Sequence, residues 1–317
     1  MKKYHFTMIL SEVHLFKALA MYVSLRKHCS SFKLFILCMS DKVYDILNKI
    51  NFDNVKLVHY SELENGNYEL NKAKSDRTFH EYCWTMKPVF LEYIISRYNT
   101  AKYYAHVDAD LFLFNNIDLL FNENPKASIF LTEHYNSKEF EYYYDLTGKF
   151  NTGFVGFKNN SEGKTAIRIW KDKCIEKCTG EYDTVNKTFG DQRYVEEWPD
   201  IFKNVHIVKS IGANTAFWNV KNYKVSEQNN SVYVNNTPLI FYHFSAFTII
   251  GPQEAELCSF YKIEDKKLLK YVYEPYAKCI FTGIEGVLRQ FPDFSTGFVN
   301  RDILGEIKNY RKIEFTK

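Results

Sequence analysis

The first sixty residues alternate between short unbroken hydrophobic runs and longer segments whose apolar positions recur every three or four residues. "YHFTMIL" (4–10), "FKLFILCM" (32–39) and "VKLVHY" (55–60) are of the first kind and predict buried strands. "EVHLFKALAMYVSLRKHC" (12–29) and "DKVYDILNKI" (41–50) are of the second kind. They predict helices, with Ser11 as N-cap of one and Ser40 or Asp41 of the other. Strand, helix, strand, helix, strand in this order predicts a parallel sheet with helices on both faces, joined by right-handed crossovers.

A polar stretch from Ser61 to Arg77 follows, and then "HEYCWTMKPVFLEYIISRYN" (80–99), whose pattern predicts a helix after Pro88. It leads into "YYAHVDADLFLF" (103–114), a fourth hydrophobic strand with Asp108 and Asp110 at its C-terminal end. Open α/β sheets place their ligands at that end. Beyond it the pattern changes: strands are predicted at 127–135, 148–159, 204–210 and 238–247, with a helix at 162–178, and the tail after Gly251 reads as helical and aromatic. The expected fold is α/β with a mostly parallel central sheet, a catalytic domain over 1–250 and a helical C-terminal extension over 251–317.

Composition narrows the function classes. At 317 residues the chain is long enough to bury a full core. A formal charge of +3 gives no footprint for nucleic acid, so none is expected as a partner. The 7 cysteines are odd in number and irregularly spaced, which predicts reduced thiols rather than a disulfide framework. Cys174 and Cys178, four apart on a helical pattern, read as small apolar residues on a buried face, since a zinc site would need two more ligands. The N-terminus carries no export pattern and no window has the apolar length of a spanning helix, so a cytoplasmic protein is expected. Membrane contact would then be peripheral, through a tail bearing Lys262, Lys266, Lys267 and Lys270 near aromatics; a solvated helix face is the plainer alternative for those lysines.

Two carboxylates at i and i+2 of an extended segment point the same way and repel, which a divalent cation would relieve. Oxygen donors favour Mg²⁺ or Mn²⁺. The segment "HVDADLFLF" resembles the Asp-x-Asp motif of GT-A fold nucleotide-sugar glycosyltransferases, a Rossmann-like α/β group. Three further segments resemble the same group in the same order. "FNTGFVGFKN" is similar to the strand that lines the donor-sugar pocket, "FGDQRYVEEWP" to the Asp-Gln segment of the retaining family 8 enzymes, the glycogenin and lipopolysaccharide galactosyltransferase group, and "IFYHFSAF" supplies a late histidine. In family 8 that histidine is followed by x-x-Gly-x-x-Lys-Pro, whereas His243 is followed by Phe-Ser-Ala-Phe, which points to a sister family of bacterial surface-polysaccharide transferases.

The resemblance implies a Leloir glycosyltransferase moving a hexose from a nucleotide diphosphate sugar, a UDP-sugar, to a growing cell-surface glycan such as lipopolysaccharide, O-antigen or capsule, or to a lipid-linked oligosaccharide. It implies metal ligation by Asp108, Asp110 and His243, and a donor site formed by Leu10, Ser11, His106, Val107, Asp108, Ala109, Asn151, Thr152 and Gly153. Asp191 and Gln192 would stand beside the anomeric carbon; in an inverting enzyme Asp191 or Glu133 would be the base, and Asp191 also suits an N-cap. Lys74, Arg77 and Lys87 offer cations to the diphosphate, or else form a solvated basic face. In "IGANTAFWN" (211–219), Asn214 and Trp218 offer a hydrogen bond and a stacking surface to sugar, or else a plain loop with a core tryptophan. A sugar nucleotidyltransferase is disfavoured because "ILSEVHLFKAL" has no glycine-rich phosphate loop. A non-catalytic glycan-binding protein and a transferase acting on host proteins remain as alternatives.

Overall fold

A computed structural model describes residues 2–312. They form two compact units, each assembled from separated stretches of chain: one from Met1–Ser11, Ser30–Asp108 and Asp118–Lys209, the other from Glu12–Cys29, Ala109–Ile117 and Ser210–Lys317.

The first unit is built on a seven-stranded sheet. Its order in space is Val55–His59, Phe32–Cys38, Tyr4–Leu10, Tyr103–Val107, Phe150–Lys158, Ile129–Glu133 and Val205–Ile207. The first four strands run parallel, Phe150–Lys158 runs antiparallel to both its neighbours, and Val205–Ile207 is again parallel to Ile129–Glu133. The unbroken hydrophobic runs are buried along almost their whole length because helices cover them. The Phe79–Arg97 and Ser161–Glu176 helices pack on each other and enclose Tyr82, Met86, Phe90, Trp170 and Trp198 in one core with Phe35 and Leu37 of the sheet. Of the two caps expected for the Asp41–Ile50 helix, Ser40 fills the role, its side chain accepting from Val43 N.

One reading of this region changes. The helix that carries Lys87 starts at Phe79 and runs through Pro88 rather than beginning after it. A capping box between Thr78 and Glu81 closes its N-terminus, and the burial of Tyr82, Thr85 and Met86 outweighs the one hydrogen bond that a proline forfeits. The polar stretch 61–77 holds the short helices Ser61–Glu64 and Tyr68–Ser75.

The second unit pairs Phe241–His243 antiparallel with Leu111–Leu113 and parallel with Thr215–Ala216. The Glu274–Gln290 helix packs against Leu15–His28. It is preceded by one π-helical stretch, Leu269–Tyr273, that sets the Tyr273 hydroxyl against that of Tyr242 at 2.9 Å. The tail is not helical alone: Thr248–Gly251, Glu254–Glu256 and Tyr310–Lys312 make a small antiparallel sheet. Among the described residues no helix is long and apolar enough to cross a membrane.

Candidate active site

The first unit gathers its charged groups where the Tyr103–Val107 strand ends. Asp108 follows that strand directly, and its backbone N–H donates to Gly153 O at 2.8 Å. Gly153 is available because the ladder between the two neighbouring strands slips. Leu131 pairs with Val155 but Thr132 with Asn151, so Thr152, Gly153 and Phe154 bulge out of register. Asn151 holds the bulge by accepting from Gly153 N at 3.0 Å, while its amide nitrogen donates to His134 Nε2 at 3.3 Å. The Asn-Thr-Gly segment is thus a shaped backbone feature against Asp108.

Lys87 and His106 face the same carboxylate. Lys87 Nζ lies 3.0 Å from Asp108 Oδ1 and 3.7 Å from Asp191 Oδ2, so one buried ammonium is shared by two acids. His106 Nε2 meets Asp108 Oδ1 at 2.9 Å. Burial pushes the His106 imidazole below its ordinary pKa, so the ring is neutral and donates its Nε2 proton to the carboxylate. Burial pushes Asp191 the opposite way, upward, against the pull of Lys87 and of a hydrogen bond from Thr152. Asp191 owes its position to Gly190, whose φ of +55° turns the chain, and to Trp170, whose indole N–H donates to Asp191 O at 2.9 Å. Its carboxylate does not serve as the cap of the following 3-10 turn. Next to it the Gln192 amide donates to Thr147 O at 2.7 Å, leaving the amide oxygen as the end able to face a reacting centre.

Other charged candidates lie elsewhere in the same unit. Lys74 pairs with Glu64 at 2.8 Å. The Arg77 guanidinium donates to Thr85 Oγ1 and to the carbonyls of Cys174 and Ile175, tying the Phe79–Arg97 helix to the end of Ser161–Glu176. Glu133 pairs with Lys149 at 2.8 Å. Cys174 and Cys178 are buried free thiols, and burial raises the Cys174 pKa well above its ordinary value. Leu10 and Ser11 are buried at the end of the first strand, where Leu10 O accepts from Met39 N, and Val107 and Ala109 are buried on either side of Asp108.

The second unit holds a cluster of its own around Asp110. Strand pairing sets His243 opposite Leu111, and Asp110 O accepts from Phe244 N at 2.8 Å. His243 Nε2 then lies 3.0 Å from Asp110 Oδ1, while its Nδ1 is buried without a hydrogen-bond partner among the described residues. Trp218 meets the His243 ring edge-on at 5.3 Å between centroids. Asn214 is fully buried with a left-handed φ of +58°, and its carbonyl accepts from Asn219 Nδ2. Gly212 lets the backbone close in, since a Cβ there would sit 2.0 Å from Pro238 O. Sequence reasoning missed Lys17. Its ammonium stands 4.0 Å from Asp110 Oδ2, and burial lowers its pKa while Asp110 raises it. A lysine on the buried stripe of an otherwise apolar helix was the signal available.

No family model matches the chain. Over 299 residues it is 50% identical to the uncharacterized protein YfnD of Bacillus subtilis strain 168, covering 94% of this chain and 96% of that protein. It is 29% identical over 301 residues to the uncharacterized protein YfnF of the same organism, covering 93% and 97%. Among solved structures, the galactosyltransferase LgtC in complex with donor and acceptor sugar analogs superposes with a TM-score of 0.53 at 9% identity, over 88% of this chain and 95% of that one. An active-site mutant of LgtC gives 0.55 at 10%. The structural likeness fixes the fold, and identity of 50% across nearly the whole of both sequences fixes the kinship: the chain belongs to the YfnD family and has the GT-A glycosyltransferase fold.

Proposed function

We propose that the chain is a retaining, divalent-cation-dependent Leloir glycosyltransferase that moves a hexose from a UDP-sugar to a growing cell-surface glycan or lipid-linked oligosaccharide. The observation that carries this reading is the buried Lys87 ammonium shared by Asp108 and Asp191, with Asp110 two residues further along the chain from Asp108 and paired to His243. Structural ion pairs seldom set carboxylates two positions apart and give each its own cationic or imidazole partner; sites that handle phosphate and sugar do. LgtC, solved with donor and acceptor sugar analogs, supports sugar substrates at the level of fold analogy.

Asp108, Asp110 and His243 would hold Mn²⁺ or Mg²⁺. Two carboxylates and one imidazole suit either ion, and the unpartnered His243 Nδ1 gives this donor set a nitrogen with lone-pair capacity. When bound, the cation offsets the negative charge that grows on a leaving diphosphate. The chain's own groups do the rest. His106 and Lys87 hold the Asp108 carboxylate in one orientation, Thr152 and Lys87 do the same for Asp191, and Gln192 presents its amide oxygen to the anomeric centre. Lys87 also supplies a fixed positive charge that water does not screen. Lys74 is tied to Glu64 and Arg77 to Thr85 and two backbone carbonyls, whereas the partners of Lys87 are the Asp108 and Asp191 carboxylates of the site itself, so Lys87 is the cation we assign to the donor.

The test is a panel of nucleotide sugars with Mn²⁺, read by released nucleoside diphosphate. One UDP-hexose should turn over, EDTA should stop it, and Asp110→Asn should slow it by at least about 10², or roughly 2.7 kcal/mol. Turnover untouched by EDTA, or release from no nucleotide sugar, refutes the reading. The same reading places the enzyme at the inner face of the cytoplasmic membrane, where exposed Lys262, Lys266, Lys267 and Lys270 would meet anionic lipid. Absence of flotation with anionic vesicles at low salt ends that part.

A further inference from the structure

Lys17 has no role in the mechanism above, yet it is among the most confined charges in the chain. The residue is only 8% exposed on the Leu15–His28 helix, where a lysine is rare unless paired. Its ammonium lies 4.0 Å from Asp110 Oδ2, the carboxylate whose other oxygen meets His243. A second observation points to a ligand at this place. The His243 Nδ1 and the Tyr276 hydroxyl are both buried without a hydrogen-bond partner among the described residues, and Tyr276 lies within the field of Asp110.

A resident ammonium changes what a cation meets there. The attraction of Asp110 for a divalent ion is opposed by a fixed positive charge at similar range, and in a confined site that opposition is not screened away. A nucleoside diphosphate reverses the balance, because its several negative charges attract both the ammonium and the ion. We propose that Lys17 is the resident counter-ion of Asp110 and makes cation binding conditional on the nucleoside diphosphate. The proposal rests on the reading that Asp110 and His243 hold the cation. Free Mn²⁺ is held weakly, and Mn²⁺ with diphosphate tightly; the coupling is reciprocal, so the cation tightens the nucleotide by the same factor.

The experiment measures Mn²⁺ affinity by the electron paramagnetic resonance signal of the unbound ion, with and without UDP, on the whole chain. In the unaltered protein UDP should raise Mn²⁺ affinity by about tenfold or more. Lys17→Met, which keeps an unbranched stem in the buried slot, should bind Mn²⁺ alone about tenfold more tightly than the unaltered protein and show a smaller gain from UDP. Lys17→Arg keeps the charge and should behave as the unaltered protein does. A purely structural lysine would leave these affinities in place. A Lys17→Met protein with a native circular dichroism spectrum and unchanged or weaker Mn²⁺ affinity overturns the proposal. So does an unaltered protein whose Mn²⁺ affinity ignores UDP, a result that stands even if Lys17→Met fails to fold. Mn²⁺ binding that survives Asp110→Asn undiminished takes down the cation-site reading itself, and the two failures are told apart by that variant.

Discussion

Replacing Lys87 by methionine tests the shared ammonium directly. At an effective dielectric of about 20, a charge 3.0 Å from Asp108 and 3.7 Å from Asp191 gains roughly 5.5 and 4.5 kcal/mol. Desolvation of the ammonium takes back much of this, and Asp108 is partly open to solvent, so the net loss on removal should be about 3–5 kcal/mol, the usual cost of leaving a buried charge unpaired. The cost falls mostly on Asp191, which is 3% exposed and already has its pKa raised by burial. Without Lys87 that pKa rises further. The folded variant then holds a proton that the unfolded chain releases above its own value of 3.8, so the variant gains stability as pH falls through the raised folded pKa. Urea unfolding at pH 8 and pH 5, followed by circular dichroism, should show a penalty of about 4 kcal/mol at the higher pH and a clearly smaller one at the lower. A penalty that is equal at both pH values, or greater at pH 5, would show that Lys87 does not carry the charge of Asp191.

His5 makes the opposite linkage. Burial, with help from Lys33, lowers its pKa from 6.5 to about 4, so the neutral ring is the folded form, and stability present above 6.5 is lost as pH falls toward 4, by roughly 3 kcal/mol in all. His5→Phe, which keeps the edge-on contacts to Phe35 and Tyr104, should flatten that part of the pH–stability curve while leaving the similar contribution of His28; an unchanged curve refutes the assignment. Gly212→Ala puts a Cβ against backbone oxygen and should lower the melting temperature well beyond the roughly 2 °C of a tolerated substitution; a smaller shift would mean that the two backbones separate at little cost. Retention predicts an α-glycoside from an α-linked donor, read from the anomeric proton coupling, and Gln192→Ala should slow transfer by less than the roughly 10² to 10⁴ that loss of a general base costs. A β-linked product would make Asp191 or Glu133 the base.

The first two hydrophobic runs were legible because strands buried on both faces leave no polar alternation to confuse the pattern, and the structure returns them and the half-exposed Val55–His59 within a residue or two; the fourth run, read as one strand over 103–114, is broken after Val107, and Leu111–Leu113 pairs in a different sheet. Asp108 and Asp110 announced themselves as charges within such a run. The helix start at Phe79 was not legible, because the proline signal is local whereas the burial of Tyr82, Thr85 and Met86 that overrides it depends on strands and a helix far away in sequence. Arg77 looked like a phosphate ligand for the same reason: sequence shows a cation and hides the Cys174 and Ile175 carbonyls that occupy it. Lys17 shows the converse, since nothing in "LFKAL" reveals that an acidic residue more than ninety positions away lies beside it. The Asn-Thr-Gly segment was readable as a strand but not as a bulge, which exists only as a mismatch with its neighbour.

The interleaving of the two units bears on how such a protein can be taken apart. The chain passes from one unit to the other after residues 11, 29, 108, 117 and 209, so no single cut frees either one whole. A truncation after Lys209 strands Glu12–Cys29 and Ala109–Ile117 without the remainder of their unit. Exchange of the second unit with that of a relative demands a three-piece graft, and one of its seams falls on the peptide bond between Asp108 and Ala109. Any chimera of this kind made from this chain is therefore sewn through the Asp-Ala-Asp itself, with Asp108 coming from one parent and Asp110 from the other.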